Sequence, residues 1–130
     1  MGAEADDGFF TLHDLKLLAR DDFPFRDGRL INAEPPAIAA LQQLPHVHGI
    51  TVNTVHGRDS SIAAVRQRCD PQVETMEGAA FMYACLIRGA PFAEIRAVSN
   101  VVEKRNRAAG KRDEAIGTLN AAALRIIDQA

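Results

Sequence analysis

The strongest constraint on the fold is a run of nine uncharged, mostly apolar residues, 79–87, which Arg88 and Gly89 close. A helix that is apolar on every side has to be covered on every side, so this run predicts a helix buried inside the protein. Gly89 suits the left-handed residue that ends many helices. Residues 73–76 form a short extended piece that leads directly into this helix.

Strands and helices alternate on both sides of this run. Residues 50–55, which are β-branched at nearly every position, and residues 92–99 predict two further strands. Helices are predicted over residues 11–18, 36–43, 60 or 61 to 67, and 113–130, the last one amphipathic. Thr11 and Asp14 suit a reciprocal cap at the first of these helices. Strands that are almost continuously apolar are typical of parallel sheets with both faces covered, so we predict an α/β fold with a mainly parallel sheet.

Composition limits the classes of partner. The 130 residues make one domain, 1–130, with a net charge of −2, which provides no field to attract nucleic acid or an anionic membrane. No apolar stretch approaches the roughly 20 residues that cross a bilayer, and the acidic N-terminus is unlike a secretory signal. We therefore predict a cytoplasmic protein. His46 and His48 lack an accompanying carboxylate or cysteine cluster, and no glycine-rich nucleotide motif occurs, so no metal or cofactor is predicted.

Two polar residues follow predicted strands. Glu77 stands between the strand at residues 73–76 and the apolar helix, and Asn100 follows residues 92–99. In open α/β sheets, ligands bind at the carboxyl ends of strands, which makes both residues candidates for a binding site. The pattern alone leaves another interpretation open, because the helix dipole favours a carboxylate at a helix N-terminus and asparagine is common in turns.

Two linked motifs favour the functional interpretation. Residues 73–80 (VETMEGAA), followed by residues 95–100 (IRAVSN), resemble the paired signatures of the nucleoside phosphorylase and nucleosidase superfamily. Residues 51–55 (TVNTV), 99–103 (SNVVE) and 105–107 (RNR) resemble its futalosine hydrolase branch. This resemblance implies a three-layer α/β/α fold around a mixed, mainly parallel sheet. It also implies hydrolysis of the N-glycosidic bond of futalosine, which releases hypoxanthine, in menaquinone biosynthesis.

The resemblance also implies a role for each motif residue. Glu77 would accept hydrogen bonds from the ribose hydroxyls, and Met76 would pack beneath the sugar. Asn100 offers one acceptor and one donor, which match the protonated N7 and the O6 of a 6-oxopurine. Ser99 would orient the purine-side residue, and Arg96 the carboxylate that activates water. Contacts with the base, partly through the backbone, fall at Thr54, Val55 and His56.

Two arginines match a further part of the substrate. Futalosine carries a carboxylated aromatic group on its sugar side, and guanidinium groups are the natural bidentate partners of carboxylates. Arg105 and Arg107 are the candidates, although a solvated basic loop over residues 103–114 accounts for them as well. Phe9 and Phe10 would reach the ligand of a neighbouring subunit, since the resemblance implies a homo-oligomer.

Family members are longer than this chain. The resemblance therefore implies the C-terminal part of the family domain, with Met1 at a truncated or mis-started end. The preceding part would supply the first strands, a glycine-rich loop and the glutamate that activates water. The branch often has a tryptophan near position 110, and this chain has none. Alternatives are a nucleosidase acting on methylthioadenosine, adenosylhomocysteine or 6-amino-6-deoxyfutalosine, a purine nucleoside phosphorylase, or a non-catalytic fragment that binds nucleosides.

Overall fold

The computed structural model describes residues 2–6, 8–104 and 111–130, and these form a mixed α/β arrangement. An N-terminal hairpin joins β1 and β2 antiparallel, with Gly2 opposite Thr11. A second, parallel pair joins β3 and β4. In chain order, the elements of the described residues are β1 (Gly2–Ala5), β2 (Gly8–Thr11), α1 (Ala39–Gln42), β3 (Gly49–Thr51), α2 (Asp59–Cys69), β4 (Val73–Thr75), α3 (Gly78–Arg88) and α4 (Arg112–Ile127).

The parallel pair is the part of the fold that positions the site. α2 connects β3 to β4, and the register places Ile50 opposite Glu74 and Thr51 opposite Thr75. Val52 continues the ladder by donating its N–H to the Thr75 carbonyl at 2.9 Å. This strand–helix–strand unit agrees with the predicted α/β pattern, although both strands end earlier than predicted, at Thr51 and Thr75.

The apolar helix α3 forms as predicted, but it is not buried all round. It ends at Gly89, whose φ of 60° gives the predicted left-handed cap, and the Gly89 N–H donates to the Leu86 carbonyl at 3.1 Å. Gly78 is the only buried residue of the helix, while Phe81, Tyr83 and Ile87 are exposed. The burial prediction is wrong because the described elements that contact α3 cover only part of its circumference.

Residues 92–99 do not form the predicted strand. A strand requires a neighbour that completes its ladder, and no described segment pairs with these residues in a sheet. Their end residues instead accept hydrogen bonds from elsewhere in the chain. Asn32 Nδ2 donates to the Phe92 carbonyl at 2.7 Å, and the Lys111 N–H donates to the Ser99 carbonyl at 2.8 Å. The prediction was wrong because an apolar pattern shows the tendency to pair but not the partner.

The predicted helices differ in how well they form. Residues 11–18 make turns, because Lys16 has a φ of 55° that a right-handed helix does not accept, although the reciprocal bonds between Thr11 and Asp14 are present. The second predicted helix shortens to α1, since Ile38 is extended. Residue 58, not a serine, is the N-cap of α2. α4 begins and ends within a few residues of its predicted bounds.

Few large apolar side chains are buried. Among the described residues, Val65 and Phe92 are the only buried hydrophobic ones. The Phe92 ring packs edge-on against the Phe81 ring, with ring centroids 5.6 Å apart. Tyr83 of α3 lies near Phe25, a residue of the N-terminal segment before α1, with ring centroids 6.1 Å apart. None of the helices described is both long and apolar enough to cross a membrane.

Candidate functional site

Five of the predicted site residues share one edge of the parallel pair. Because β3 and β4 run in the same direction, the segments that leave their carboxyl ends start from the same edge, where open α/β sheets bind ligands. The exposed side chains there belong to Thr54, Val55, Met76 and Glu77, and His56 is half-buried. The structure thus brings together the segment after β3 and the beginning of α3.

Two strand threonines cap α3. Thr75 Oγ1 accepts the Gly78 N–H at 3.2 Å, and Thr51 Oγ1 accepts the Ala79 N–H at 2.8 Å. The two hydroxyl oxygens lie 3.1 Å apart, which matches their opposed positions in the register. Helix N-termini have N–H groups without intrahelical partners, and these hydroxyls satisfy two of them.

Glu77 is the N-cap residue of α3, yet its side chain makes no capping hydrogen bond and is exposed. The capping function that could have explained a carboxylate at this position is therefore performed by the two threonines. The helix dipole still stabilises a negative charge there. Glu77 places an acceptor-only group at the edge of the sheet, facing solvent.

Arg96 reaches this region through a carboxylate that the sequence did not single out. Its Nε and Nη2 both bond Glu94 Oε1, at 2.6 Å and 2.5 Å. The same carboxylate lies against Gly78: a Cβ built on Gly78 would be 2.9 Å from Glu94 Oε1. Glycine is needed here for close approach of the carboxylate and the helix backbone. The i, i+2 spacing of Glu94 and Arg96 within the predicted strand was the available signal, because alternate residues of a strand lie on the same side.

His56 is held by a second carboxylate, that of Glu74. The His56 N–H donates to Glu74 Oε1 at 2.9 Å, and the His56 ring Nδ1 bonds Glu74 Oε2. Their side chains are only 17% and 7% exposed. Successive strand residues face opposite sides of the sheet, so Glu74 holds the His56 ring on the side opposite the Thr75 hydroxyl.

Asn100 forms side-chain hydrogen bonds with its two chain neighbours, Ser99 and Val101. Within the described part of the chain, its side-chain bonds are local: Oδ1 accepts from Ser99 Oγ at 2.8 Å, and Nδ2 donates to the Val101 carbonyl at 3.3 Å. Ser99 therefore contacts the predicted purine-reading residue directly. Arg105 and Arg107 lie outside the described residues.

Sequence comparisons show which known proteins this chain resembles. No family model and no solved structure matches the chain. The chain is 34% identical over 120 residues to the futalosine hydrolase of Streptomyces coelicolor, an alignment that covers 92% of this chain. The similarity to this futalosine hydrolase thus extends over most of the chain. It is also 37% identical over 79 residues, 61% of its length, to the futalosine hydrolase of Thermus thermophilus. The alignments cover 48% and 35% of these two relatives, so the chain spans about half of their length or less.

Metal ligation has no support in the described residues. They contain no group of three or more histidine, cysteine, aspartate or glutamate side chains placed to hold an ion. Two carboxylates near the site have close partners. Glu74 bonds His56, and Glu94 bonds the cationic side chain of Arg96. Side chains of these types can form hydrogen bonds to an organic ligand and stabilise charge on it.

Proposed function

We propose that this chain contributes the nucleoside-binding part of a futalosine hydrolase. Such an enzyme hydrolyses the N-glycosidic bond of futalosine and releases hypoxanthine, and we assign the reaction to menaquinone biosynthesis in the cytoplasm. The two relatives named futalosine hydrolase support the substrate. The main structural support is the exposed Glu77 carboxylate, which stands at the end of a parallel strand and is not used as a helix cap.

We further propose that residues 1–130 are one nucleosidase-like domain portion, the C-terminal part of the family domain. In the complete domain the β3–β4 pair would belong to a larger, mainly parallel sheet between two layers of helices. The parallel register of β3 and β4 supports this arrangement. A homo-oligomer, with Phe9 or Phe10 near the ligand of a neighbouring subunit, is part of the same proposal.

Glu77 has a defined task in this reaction. Glycosidic cleavage passes through an oxocarbenium-like state in which hydrogen bonds to the sugar hydroxyls strengthen. A carboxylate can accept hydrogen bonds from two hydroxyl groups. Met76, which is half exposed beside it, supplies apolar contact beneath the ribose. Arg96 acts indirectly as a positioning residue, because it holds the Glu94 carboxylate against the start of α3.

Asn100 is the residue that we propose to recognise the purine base. Cleavage leaves electron density on the base, which is stabilised when N7 is protonated and its proton is bound by an acceptor. An amide provides that acceptor together with a donor for O6, whereas the carboxylate of an aspartate provides no donor. Ser99, whose hydroxyl donates to Asn100 Oδ1, fixes the orientation of the amide. The segment from Thr54 to His56 contributes backbone contacts to the base, and Arg105 and Arg107 bind the carboxylate of futalosine.

Calorimetric titration with futalosine tests the binding part of this proposal. Glu77→Gln removes the charge and turns one acceptor oxygen into an NH₂ donor, and hydrogen bonds to a charged group contribute about 1.5–3 kcal/mol. We therefore expect affinity to fall by about tenfold to a hundredfold. Glu34→Gln, at an exposed position outside the site, is the matched control and should leave affinity unchanged.

Two results would contradict the proposal: no futalosine binding by the unaltered chain, or equal losses in Glu77→Gln and Glu34→Gln. Asn100→Asp tests base recognition separately. If the affinity ratio between inosine and adenosine were unchanged in that variant, Asn100 would not read the 6-oxo group. Tight binding of futalosine without release of hypoxanthine under any condition would identify a non-catalytic nucleoside-binding protein.

A further inference from the structure

The loop that leaves β3 is attached to β4 at two consecutive strand residues. The Val52 N–H donates to the Thr75 carbonyl at 2.9 Å. Further along the loop, the Glu74 carboxylate bonds both the backbone and the ring of His56. Its Oε1 accepts the His56 N–H at 2.9 Å, and its Oε2 bonds the ring Nδ1. Residues 53–55 lie exposed between these attachments, so β4 sets the path of the loop at both ends.

The attachment at Glu74 is largely shielded from water. The His56 and Glu74 side chains are only 17% and 7% exposed. Polar groups that are removed from water need protein partners, and the two residues provide these for each other. Because one carboxylate bonds two groups of His56, it fixes the position of the backbone as well as the orientation of the ring. Glu74 is therefore the side chain that decides where the end of the loop lies.

The same strand carries the sugar-side residues of the proposed site. Met76 and Glu77 come directly after β4, which ends at Thr75. Residues 54–56, which contact the base in the proposed function, and the ribose-binding carboxylate are thus both positioned by one short strand. A nucleoside joins base and sugar rigidly enough that both sets of contacts must be correctly spaced. A misplacement of about 1 Å can cost roughly a hundredfold in rate.

We propose that Glu74 is a positioning residue for purine binding. By holding His56, it keeps residues 54–56 in the conformation that contacts the base. The inference rests on the proposed function, because base contact by this loop is part of that function. Apparent affinity falls in proportion to the fraction of molecules in the binding conformation. One hydrogen bond typically changes an equilibrium constant by about fivefold, so loss of both bonds can weaken binding by up to about 25-fold.

Calorimetric titration of the full chain with hypoxanthine and with futalosine tests this role. Glu74→Leu removes both bonds to His56 and should weaken the binding of each ligand at least fivefold. Glu74→Gln retains one acceptor oxygen for the His56 N–H, so it should weaken binding about two- to fivefold. The glutamine variant also provides the test if the leucine variant does not fold.

Two comparison variants separate positioning from other effects. Gly89→Ala, at the C-terminal end of α3, is the control for lost stability and should change either affinity less than twofold. Glu77→Gln should weaken the binding of futalosine but not of hypoxanthine, which has no ribose. In the free chain, amide hydrogen exchange at residues 54–56 should be at least fivefold faster in Glu74→Leu than in Gly89→Ala.

The outcomes distinguish this inference from the function on which it rests. The positioning role alone is overturned if the unaltered chain binds futalosine and the Glu74 variants bind as tightly as Gly89→Ala. It is also overturned if their loss of futalosine binding has no counterpart with hypoxanthine, or if amide exchange at residues 54–56 is unchanged. If the unaltered chain binds neither ligand, the proposed function fails and the positioning role fails with it.

Discussion

Removal of the Thr75 hydroxyl should destabilise the junction between β4 and α3. Thr75 Oγ1 accepts the N–H of the buried Gly78, donates to the Ile50 carbonyl at 3.3 Å and contacts the Thr51 hydroxyl. Valine has a similar shape but no polar atom, so Thr75→Val isolates the loss of these bonds. The site depends on them, because Glu77 immediately precedes the capped residues.

The expected magnitude follows from burial. Loss of a side-chain cap costs roughly 0.5–2 kcal/mol, and a buried donor left without a partner costs about 1–3 kcal/mol. Gly78 is buried, so we expect Thr75→Val to lower the free energy of unfolding by about 1–2 kcal/mol. Thr51 is exposed, and water can replace its bond to Ala79, so Thr51→Val should cost less, about 0.5–1 kcal/mol. The double variant should cost less than the sum, because the two hydroxyls share one network.

Urea unfolding followed by circular dichroism measures these differences. For a small protein, a loss of about 1.5 kcal/mol moves the midpoint by roughly 1 M urea. Thr118→Val is the matched control, since the Thr118 hydroxyl bonds only the Glu114 carbonyl of its own exposed helix turn among the described contacts. If Thr75→Val were no less stable than Thr118→Val, the capping role of the strand threonines would be refuted.

Three further predictions concern other parts of the chain. Glu74→Gln should lower the free energy of unfolding by about 1–2 kcal/mol in urea titrations, because it removes the charge from a nearly buried hydrogen bond to His56. Gly89→Ala should cost about 1–2 kcal/mol in the same assay, since the φ of 60° is unfavourable for a residue with a Cβ and no neighbouring atom would add a clash. Hydrogen bonds from the Thr11 side chain and N–H lower the pKa of Asp14, so Thr11→Val should raise that pKa in an NMR titration.

The sign of the last effect can be checked through stability. A carboxyl group whose pKa is lowered by folding stabilises the native state above its unfolded-state pKa, and that stabilisation is lost as pH falls through the lower, native pKa. Thr11→Val should therefore make the free energy of unfolding less dependent on pH in the acid range. An unchanged Asp14 pKa would contradict the reciprocal cap. Equal stability of Glu74→Gln and the unaltered chain, or no cost for Gly89→Ala, would contradict the other two predictions.

Local signals in the sequence predicted local structure well. The Gly89 cap and the Thr11–Asp14 bonds depend on residues within one turn of each other, and both were found. The strand–helix–strand pattern predicted an α/β arrangement, and residues 49–51 do pair in parallel with residues 73–75. The Glu74–His56 and Glu94–Arg96 pairs were not predicted. The first pair depends on the register between β3 and β4. The second pair involves Glu94, which lies outside both motifs.

Properties that depend on distant partners could not be predicted. The apolar pattern of α3 indicates that the helix is suited to complete burial, but burial needs elements on all of its sides. Residues 92–99 have the composition of a strand and lack a described neighbour to pair with. Both failures have the same physical cause: hydrophobic periodicity reports the surface that a segment can bury, not whether another segment is present to cover it.

Release of hypoxanthine from futalosine, measured by chromatography in the absence of phosphate, tests the central claim most directly. The assay uses the part of the Streptomyces coelicolor futalosine hydrolase that has no counterpart in this chain. It compares this chain alone, this chain mixed with that part, and that part alone. We predict release of hypoxanthine from the mixture and none from the Streptomyces coelicolor part alone. In the mixture, Glu77→Gln should slow the release at least tenfold. Absence of hypoxanthine in every mixture, or equal release with Glu77→Gln, would contradict the assignment of this chain to the nucleoside site of a futalosine hydrolase.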